Sequence, residues 1–406
     1  GPTMKRKTTM GWVGLCGLIG VMLCVVLAGI DGQSSWMFQQ GDGRPFYGPD
    51  VGRRSVTMMW GAWSDTGLGV GYGGYALHPL RMLTTFMPPL VFHVARYVLD
   101  VLLMGLGAYW FLIGRRVRPR AALLAGVFLA FSGYFFTLIY AGHARIVDLM
   151  PLTVLAFGCV DRALTRQSYL HWGWAGLLMG IALSRQADVA GLMGLMLLFY
   201  GAFRYFQIVR ATPHRWAKIT LHGVLGGLLA SATLTALAIP GIADTARTVA
   251  SREAHKEASK TSAWEYATNW SMPPEEMLEF VAPYVFGVAT GKRSGPYWGR
   301  VGRSMGWPDE PGLANLKQHT VYLGAIPLLF GVYAIAYRLR RRHRKADDAK
   351  DEPELYAAAR FDALFWGIAF VLAVMLAMGR YFPLYRVFYS LPLPFVKGIR
   401  CPIKFM

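Results

Sequence analysis

Charge is what this sequence has least of. Of its 406 residues only 16% are Asp, Glu, Lys or Arg, and the 23 acids are outnumbered by 42 Lys and Arg. A soluble globular domain carries about 25% charged residues. The shortfall excludes an ordinary soluble enzyme. With 54% hydrophobic residues, the chain is also neither disordered nor collagen-like. Cysteine is scarce as well. Cys16, Cys24, Cys159 and Cys401 have neither metal-ligand spacing nor a disulfide framework, and they read as small apolar residues. The sequence contains no H-E-x-x-H, Walker A or G-x-S-x-G motif. Gly69-Val70-Gly71-Tyr72-Gly73-Gly74 matches G-x-G-x-x-G, but no strand pattern precedes it, so it does not read as a dinucleotide loop. Asn269-Trp270-Ser271 fits a glycosylation acceptor, a three-residue match that is common by chance.

What the chain does have is apolar runs long enough to cross a bilayer, which takes about 20 residues each. Nine spans are expected, near 11–30, 88–113, 121–140, 147–164, 169–184, 187–205, 219–240, 320–337 and 361–379. Gly1-Pro2-Thr3 before Met4 reads as a tag remnant. Lys5, Arg6 and Lys7 then precede the first run. That run exceeds the roughly 7–15 residues of a signal-peptide core and is expected to stay as an anchor. Ser168 to Tyr205 is too long for one pass, and both flanks are basic, so two passes are needed, with a turn at Ser184-Arg185-Gln186-Ala187-Asp188.

The basic excess follows this topology. Lys and Arg gather in the short loops: Lys5 to Lys7, Arg115 to Arg120, Arg162 and Arg166, Arg204 to Lys218, and Arg338 to Lys350. Cytoplasmic loops carry such an excess, so the N-terminus is expected inside and the C-terminus outside. The long loops near 31–86 and 241–318 carry equal numbers of acids and bases. The net charge of +19 is therefore mostly topology, and nucleic acid is not an expected partner. The outer loops are rich in aromatics, among them Trp36, Trp60, Trp63, Trp264, Trp270 and Trp298. Loops of this length are usually functional or disordered. These carry enough apolar mass to fold on the membrane surface, and they also offer surfaces for protein partners.

Ionisable side chains within spans are costly and mark function by default. His93, Arg96 and Asp100 lie at i, i+3 and i+7 of the second span, on one helical face. His143, Arg145 and Asp148 lie at the junction of the third and fourth spans, and Arg185 and Asp188 at the turn of the fifth and sixth. All three groups fall toward the outer side, which points to an outward-facing polar site. An ion-pair network that only orients helices is the alternative. Asp31, Asp42, Asp50 and Asp65 lie in the first outer loop. A carboxylate there suits a general base, provided burial tunes its pKa; a solvated acid or an Asx turn is the alternative. Arg145, Arg185, Arg380 and Arg400 are candidates for bidentate bonds to a lipid phosphate.

Several segments, taken in order, resemble the YfhO-like bacterial membrane proteins of the GT-C glycosyltransferase superfamily. Gly41-Asp42 followed by Trp63-Ser64-Asp65-Thr66-Gly67-Leu68-Gly69 is similar to the family's W-N-P…G-x-G segment. Gly142 to Leu152 (GHARIVDLMPL) resembles G-H-x-x-K…P-L. Trp264 to Gly287, with Tyr297-Trp298-Gly299 after it, resembles W-S-x-P-x-E-L…P-x-x-F-G…Y-W-G. Tyr322-Leu323-Gly324 resembles Y-I-G-x-x-P-L. Gly379 to Arg386 (GRYFPLYR) and Ile399 to Phe405 (IRCPIKF) resemble G-x-x-T-P-L-Y-R and R-x-P-x-R-F. The match covers nearly the whole chain.

The resemblance implies an all-α GT-C-like bundle of about nine transmembrane helices with two long extracytoplasmic loops, in the bacterial cytoplasmic (inner) membrane. It also implies transfer of a sugar from a polyprenyl-phosphate donor to an extracytoplasmic acceptor. An outer-loop acid would be the base. Position relative to the Trp segment points to Asp42 and closeness to the first span to Asp31, with Asp42 slightly ahead. His143 and Arg145 carry over as donor-phosphate or acceptor contacts, and Arg400 as a phosphate ligand. Arg185, Arg380, His93 and Arg96 join that candidate set, with Asp65, Asp188, Glu275 and Glu276 as secondary acids. No metal ligand is assigned; a divalent ion is optional and no other cofactor is implied.

The chain departs from the family in three places. Asp65 replaces the proline of W-N-P, Arg185-Gln186 stands where H-P-Q is expected, and family members continue past the last motif, so the tail is expected to be cut short. The expected division is a cytoplasmic N-terminus at 1–10, a seven-helix catalytic module at 11–240 that includes loop 31–87, a large loop at 241–319, two further helices at 320–379 and a basic tail at 380–406. The rival reading is a non-catalytic subunit that binds or flips a lipid-linked sugar or scaffolds a complex.

Overall fold

The computed structural model describes residues 14–17, 19–20, 89–140, 143–257, 263–268, 270–287, 297–301, 321–341, 353–391 and 402–405. Among them every regular element is helical. The chain divides into two compact units, one of Gly1–Phe131 with Phe135–Lys260, the other of Ser132–Tyr134 with Thr261–Met406.

The first unit is built from α1 (Pro89–Gly114), α2 (Pro119–Ala130), α3 (Gly133–Tyr140, from Phe135 on), α4 (Ala144–Arg166), α5 (Tyr169–Arg185), α6 (Ala187–Ala211) and α7 (Trp216–Glu257). Four stretches are long and apolar enough to cross a membrane: Ala95–Gly114, Pro119–Ile139, Ala187–Ala211 and Pro213–Ile239. The expected third span is interrupted at Phe131-Ser132, which separates α2 from α3. α7 runs on past residue 240 as one helix of 42 residues. At 1.5 Å per residue it is ~63 Å long, about twice the hydrocarbon thickness of a bilayer.

α4 sits against α1, α5 and α6. It is not among the four apolar stretches because Asp148, Asp161 and Arg162 interrupt its hydropathy. All three side chains are buried. Outward, α6 and α7 expose Leu198, Phe199, Phe206, Leu225 and Leu228. Charges inside and large apolar side chains outside is the reverse of what water selects. Hydrocarbon selects it, because it accepts leucine and penalises charge.

α5 and α7 meet through small residues. Gly176 and Gly180 stand one turn apart on α5 and face Ala230 and Leu234 of α7. A Cβ on Gly176 would lie 2.1 Å from the Ala230 carbonyl oxygen, and one on Gly180 would lie 2.8 Å from that of Leu234. Such backbone approach is how helices associate where no hydrophobic drive exists between them. Thr233 adds a hydroxyl donated to the Gly173 carbonyl at 3.3 Å.

The second unit contains α8 (Ala263–Ala267), α9 (Ala325–Arg341), α10 (Pro353–Ala377) and α11 (Pro383–Ser390), with 3₁₀ turns at Pro274–Phe280, Gly379–Tyr381 and Pro402–Phe405. It combines residues of the large loop, of the two helices after it and of the tail. Its core joins Trp270, Met272, Phe280, Phe286, Tyr297, Val301, Val321 and Ile403. The Met272 N–H donates to the Ala377 carbonyl at 2.9 Å, and the Leu323 N–H to that of Phe280 at 3.2 Å. Gly379 has φ +52°, and a Cβ there would lie 2.1 Å from the Ser271 hydroxyl, so glycine is needed both for its conformation and for the close packing.

Candidate functional site

The first unit gathers three helices around one carboxylate. Asp148, in the first turns of α4, accepts from the Arg96 Nε of α1 at 2.5 Å on Oδ1 and from the Arg185 Nη2 of α5 on Oδ2. Arg96 adds a second contact through Nη2. Asp100 lies one turn along α1 from Arg96 and interacts electrostatically with Asp148, Arg96 and Arg185. Arg96, Asp100, Asp148 and Arg185 are each 5% exposed or less. Arg145, three residues before Asp148, is near enough to Arg185 to repel it.

The cluster is not closed. Nε and Nη1 of Arg185 and Oδ2 of Asp100 are buried without a hydrogen-bond partner among the described residues. A buried, unsatisfied guanidinium nitrogen is costly. Among the described residues Arg96 and Arg185 meet Asp148 and Asp100, Arg145 adds positive charge near Arg185, and Arg185 has unused donors. That combination suits an oxyanion, which takes planar, bidentate, charge-assisted bonds from guanidinium. His143 is the residue before α4 and is half-buried; its backbone carbonyl accepts from Ile146 and Val147. Asp188 holds its own turn, its Oδ1 accepting the Val189 N–H at 2.9 Å.

Sequence reasoning missed a second ionic cluster at the other end of α4, having placed polar groups at the outer end alone. Asp161 accepts from Arg204 Nε at 2.7 Å, from the Tyr200 hydroxyl at 2.9 Å and from Arg115 Nη1 at 3.3 Å. Gln207 accepts from both arginines. Next to it, Arg162 lies 3.6 Å from the centre of the Trp110 ring and donates to the Trp110 carbonyl. The signal was present: Asp161 is an acid inside an expected span. The sequence alone makes Arg162 beside it look like a flanking charge, which hides the acid. Asp148 and Asp161 are thirteen residues apart in the sequence, ~20 Å along a helix.

In the second unit, Glu276 accepts from the Tyr297 hydroxyl and the Arg300 N–H, both at 2.5 Å, and from the Val301 N–H at 3.1 Å. Burial pushes its pKa above the ordinary carboxylate value despite these donors. Glu279, 3% exposed, has Oε1 without a partner. Burial and the nearby Glu276 carboxylate push its pKa up to about 8. Burial beside the same carboxylates raises the Tyr297 hydroxyl as well. Glu275 pairs with Arg300 through both its oxygens, at 2.5 and 2.9 Å, and this holds its carboxyl below the ordinary value. Arg380 donates from Nη2 to Thr268 at 3.2 Å and from its backbone N–H to the Ser271 hydroxyl at 3.1 Å. Glu275 and Glu276 are thus part of the loop's own scaffold.

Of the residues singled out in the sequence, Arg96 and Arg185 are brought together directly, with Arg145 close to Arg185. Asp31, Asp42, Asp65, Arg400 and the side chain of His93 lie outside the described residues. Among the described residues no three His, Cys, Asp or Glu side chains are grouped as a metal site. Comparison of the chain with protein-family models, with curated proteins and with solved structures finds no match.

Proposed function

We propose that the protein is a membrane glycosyltransferase of the GT-C type, which moves a sugar from a polyprenyl-phosphate carrier to an extracytoplasmic acceptor. In this reading the chain crosses the bacterial inner membrane about nine times, with the N-terminus inside. The observation that carries the reading is the open face of Arg185: two buried guanidinium nitrogens without partners among the described residues, beside Arg96 and Arg145, on helices packed as membrane helices are. A lipid phosphate is the anion that such a site would meet in a bilayer. The motifs that carry the family resemblance in the second half of the chain also contribute to one shared core there, which supports reading them as parts of one structure.

The chemistry is a single displacement. An outer-loop carboxylate, Asp42 or Asp31, removes the acceptor hydroxyl proton as its oxygen attacks the anomeric carbon. The bond from that carbon to the carrier phosphate breaks, and the phosphate leaves as an anion already paired with guanidinium. Preorganised cations stabilise the charge that develops on the leaving oxygen, and the anomeric centre is inverted.

The test is sugar transfer in membranes with labelled polyprenyl-phosphate sugars, comparing wild type with Asp42→Ala and Asp31→Ala. Loss of transfer in one variant, with expression intact, identifies the base. No transfer by wild type across a panel of donors moves the assignment to a subunit that binds or flips the lipid-linked sugar or scaffolds a complex.

A further inference from the structure

One end of the first unit collects three connections: α1 to α2, α4 to α5, and α6 to α7. The Asp161 cluster ties two of them together. Arg115 opens the α1–α2 connection and Arg204 lies on the last turns of α6, and both end on the same Asp161 oxygen while Gln207 bridges them. The Tyr205 hydroxyl meets the Thr220 hydroxyl at 2.6 Å, which fixes the start of α7 beside the end of α6. This bracing presents Arg116, Arg118, Arg120, Arg166, Arg215 and Lys218 on one end face, and all six are exposed. Among the described residues at this end the one acid is Asp161, and it is buried. Among the described residues of the first unit, these cations therefore have no exposed counter-charge at this end.

Just inside them lies a ring of exposed aromatic and apolar side chains. Trp216 is 59% exposed, Phe206 68%, Leu170 69% and Trp174 50%, with Tyr169 beside them. Trp and Tyr at this depth are typical of the boundary between hydrocarbon and headgroups. A polyanion in water, such as RNA, would meet the cations but leave that ring uncovered.

We propose that this end face is a docking surface for anionic phospholipid headgroups. The six cations engage lipid phosphates, and the aromatic ring sits at the level of the glycerol backbone. The Asp161 bracing holds two of the three connections together, which keeps their cations at one end. This surface is independent of the sugar-transfer reading.

The experiment uses the purified full chain reconstituted in phosphatidylcholine vesicles that carry a trace of spin-labelled phosphatidylglycerol or phosphatidylcholine. The motionally restricted fraction reports lipid held by the protein. The expected result is an association of phosphatidylglycerol at least about threefold above that of phosphatidylcholine at low salt. The preference should shrink toward one at ~0.5 M salt, where the Debye length is only a few ångströms. The combined variant R116Q/R118Q/R120Q/R215Q/K218Q should lose the preference, and a version with lysine at the four arginine positions should keep it. The proposal is overturned by equal association of the two lipids with wild type, or by a preference that the glutamine variant retains. Tight binding of single-stranded RNA without any lipid preference overturns it as well.

Discussion

Glu276 and Tyr297, twenty-one residues apart, share a buried hydrogen bond of 2.5 Å, and the same carboxylate accepts the backbone N–H groups of Arg300 and Val301. One side chain thus fixes the turn after Trp298 to the Pro274–Phe280 helix. Glu276→Ala leaves the Tyr297 hydroxyl and the Arg300 N–H without their acceptor, while the Val301 N–H keeps the Tyr297 hydroxyl oxygen at 3.0 Å. Bonds to a charged group are worth about 1.5–3 kcal/mol each and are not additive, so the loss should be roughly 2–4 kcal/mol. Limited proteolysis of this unit should speed up, while Tyr297→Phe should show a smaller change in the same direction.

Glu279 predicts an unusual pH dependence for this unit. Its folded pKa of about 8 is above the ordinary carboxylate value, so between pH ~4.5 and ~8 the folded state holds a proton that the unfolded chain has released. Stability therefore falls as pH rises through that window, with a slope of up to ~1.4 kcal/mol per pH unit. Glu276, also raised, acts in the same direction. Glu275, held low by Arg300, works the other way, but only at more acid pH. Thermal unfolding at pH 5.5 and pH 8 should show the lower midpoint at pH 8. Glu279→Gln should flatten the profile and raise the midpoint at pH 8.

Asp148 bridges two buried arginines. Asp148→Ala removes the shared acceptor and leaves two buried arginines with Asp100 as the remaining acid of the cluster; breaking a buried pair costs about 3–5 kcal/mol, and Asp100 should hold the loss to the lower part of that range. Replacing Asp148, Arg96 and Arg185 together by apolar residues of similar volume should recover much of that loss. Thermal stability in detergent distinguishes the two variants.

Arg185→Lys keeps the charge but not the planar fork. If Arg185 holds the donor phosphate, sugar transfer should fall by ~10-fold or more with the protein still folded. Unchanged transfer would remove Arg185 from the donor site.

Gly176→Leu should separate α5 from α7. Even the Cβ would sit 2.1 Å from the Ala230 carbonyl oxygen, which is backbone and cannot turn aside. Overpacking costs about 1–3 kcal/mol and more for a branched side chain. Cysteine pairs across α5 and α7 should then cross-link less readily than in wild type.

The sequence was legible where a single helix buries an apolar stripe in lipid. The stretches 88–113 and 169–184 coincide closely with α1 and α5, and 187–205 shares its start with α6, which runs on to Ala211, because an apolar run defines where such a helix lies better than where it ends. It was less legible where pairing matters. Arg96, Arg185 and Asp148 were each visible as charges out of place, but no spacing rule says that Asp148 is shared by two arginines from different helices. Asp161 hid for the same reason: its meaning depends on Arg115 and Arg204, far away in the chain. The scaffold role of Glu276 was hidden as well, since its three donors come from residues 297–301, across a long loop.

The buried charges of α4 also constrain how the chain is made. A segment carrying Asp148, Asp161 and Arg162 is a poor candidate to enter a bilayer alone, since translocon scales charge ~2.5–3.5 kcal/mol for each such residue near the helix centre. α1 precedes α4 in the chain and carries Arg96, the partner of Asp148, with Arg115, a partner of Asp161, directly after it. Arg185 and Arg204 follow on α5 and α6. In the proposed topology, insertion of α4 is expected to depend on the helix made before it, because Arg96 is the first partner available to Asp148.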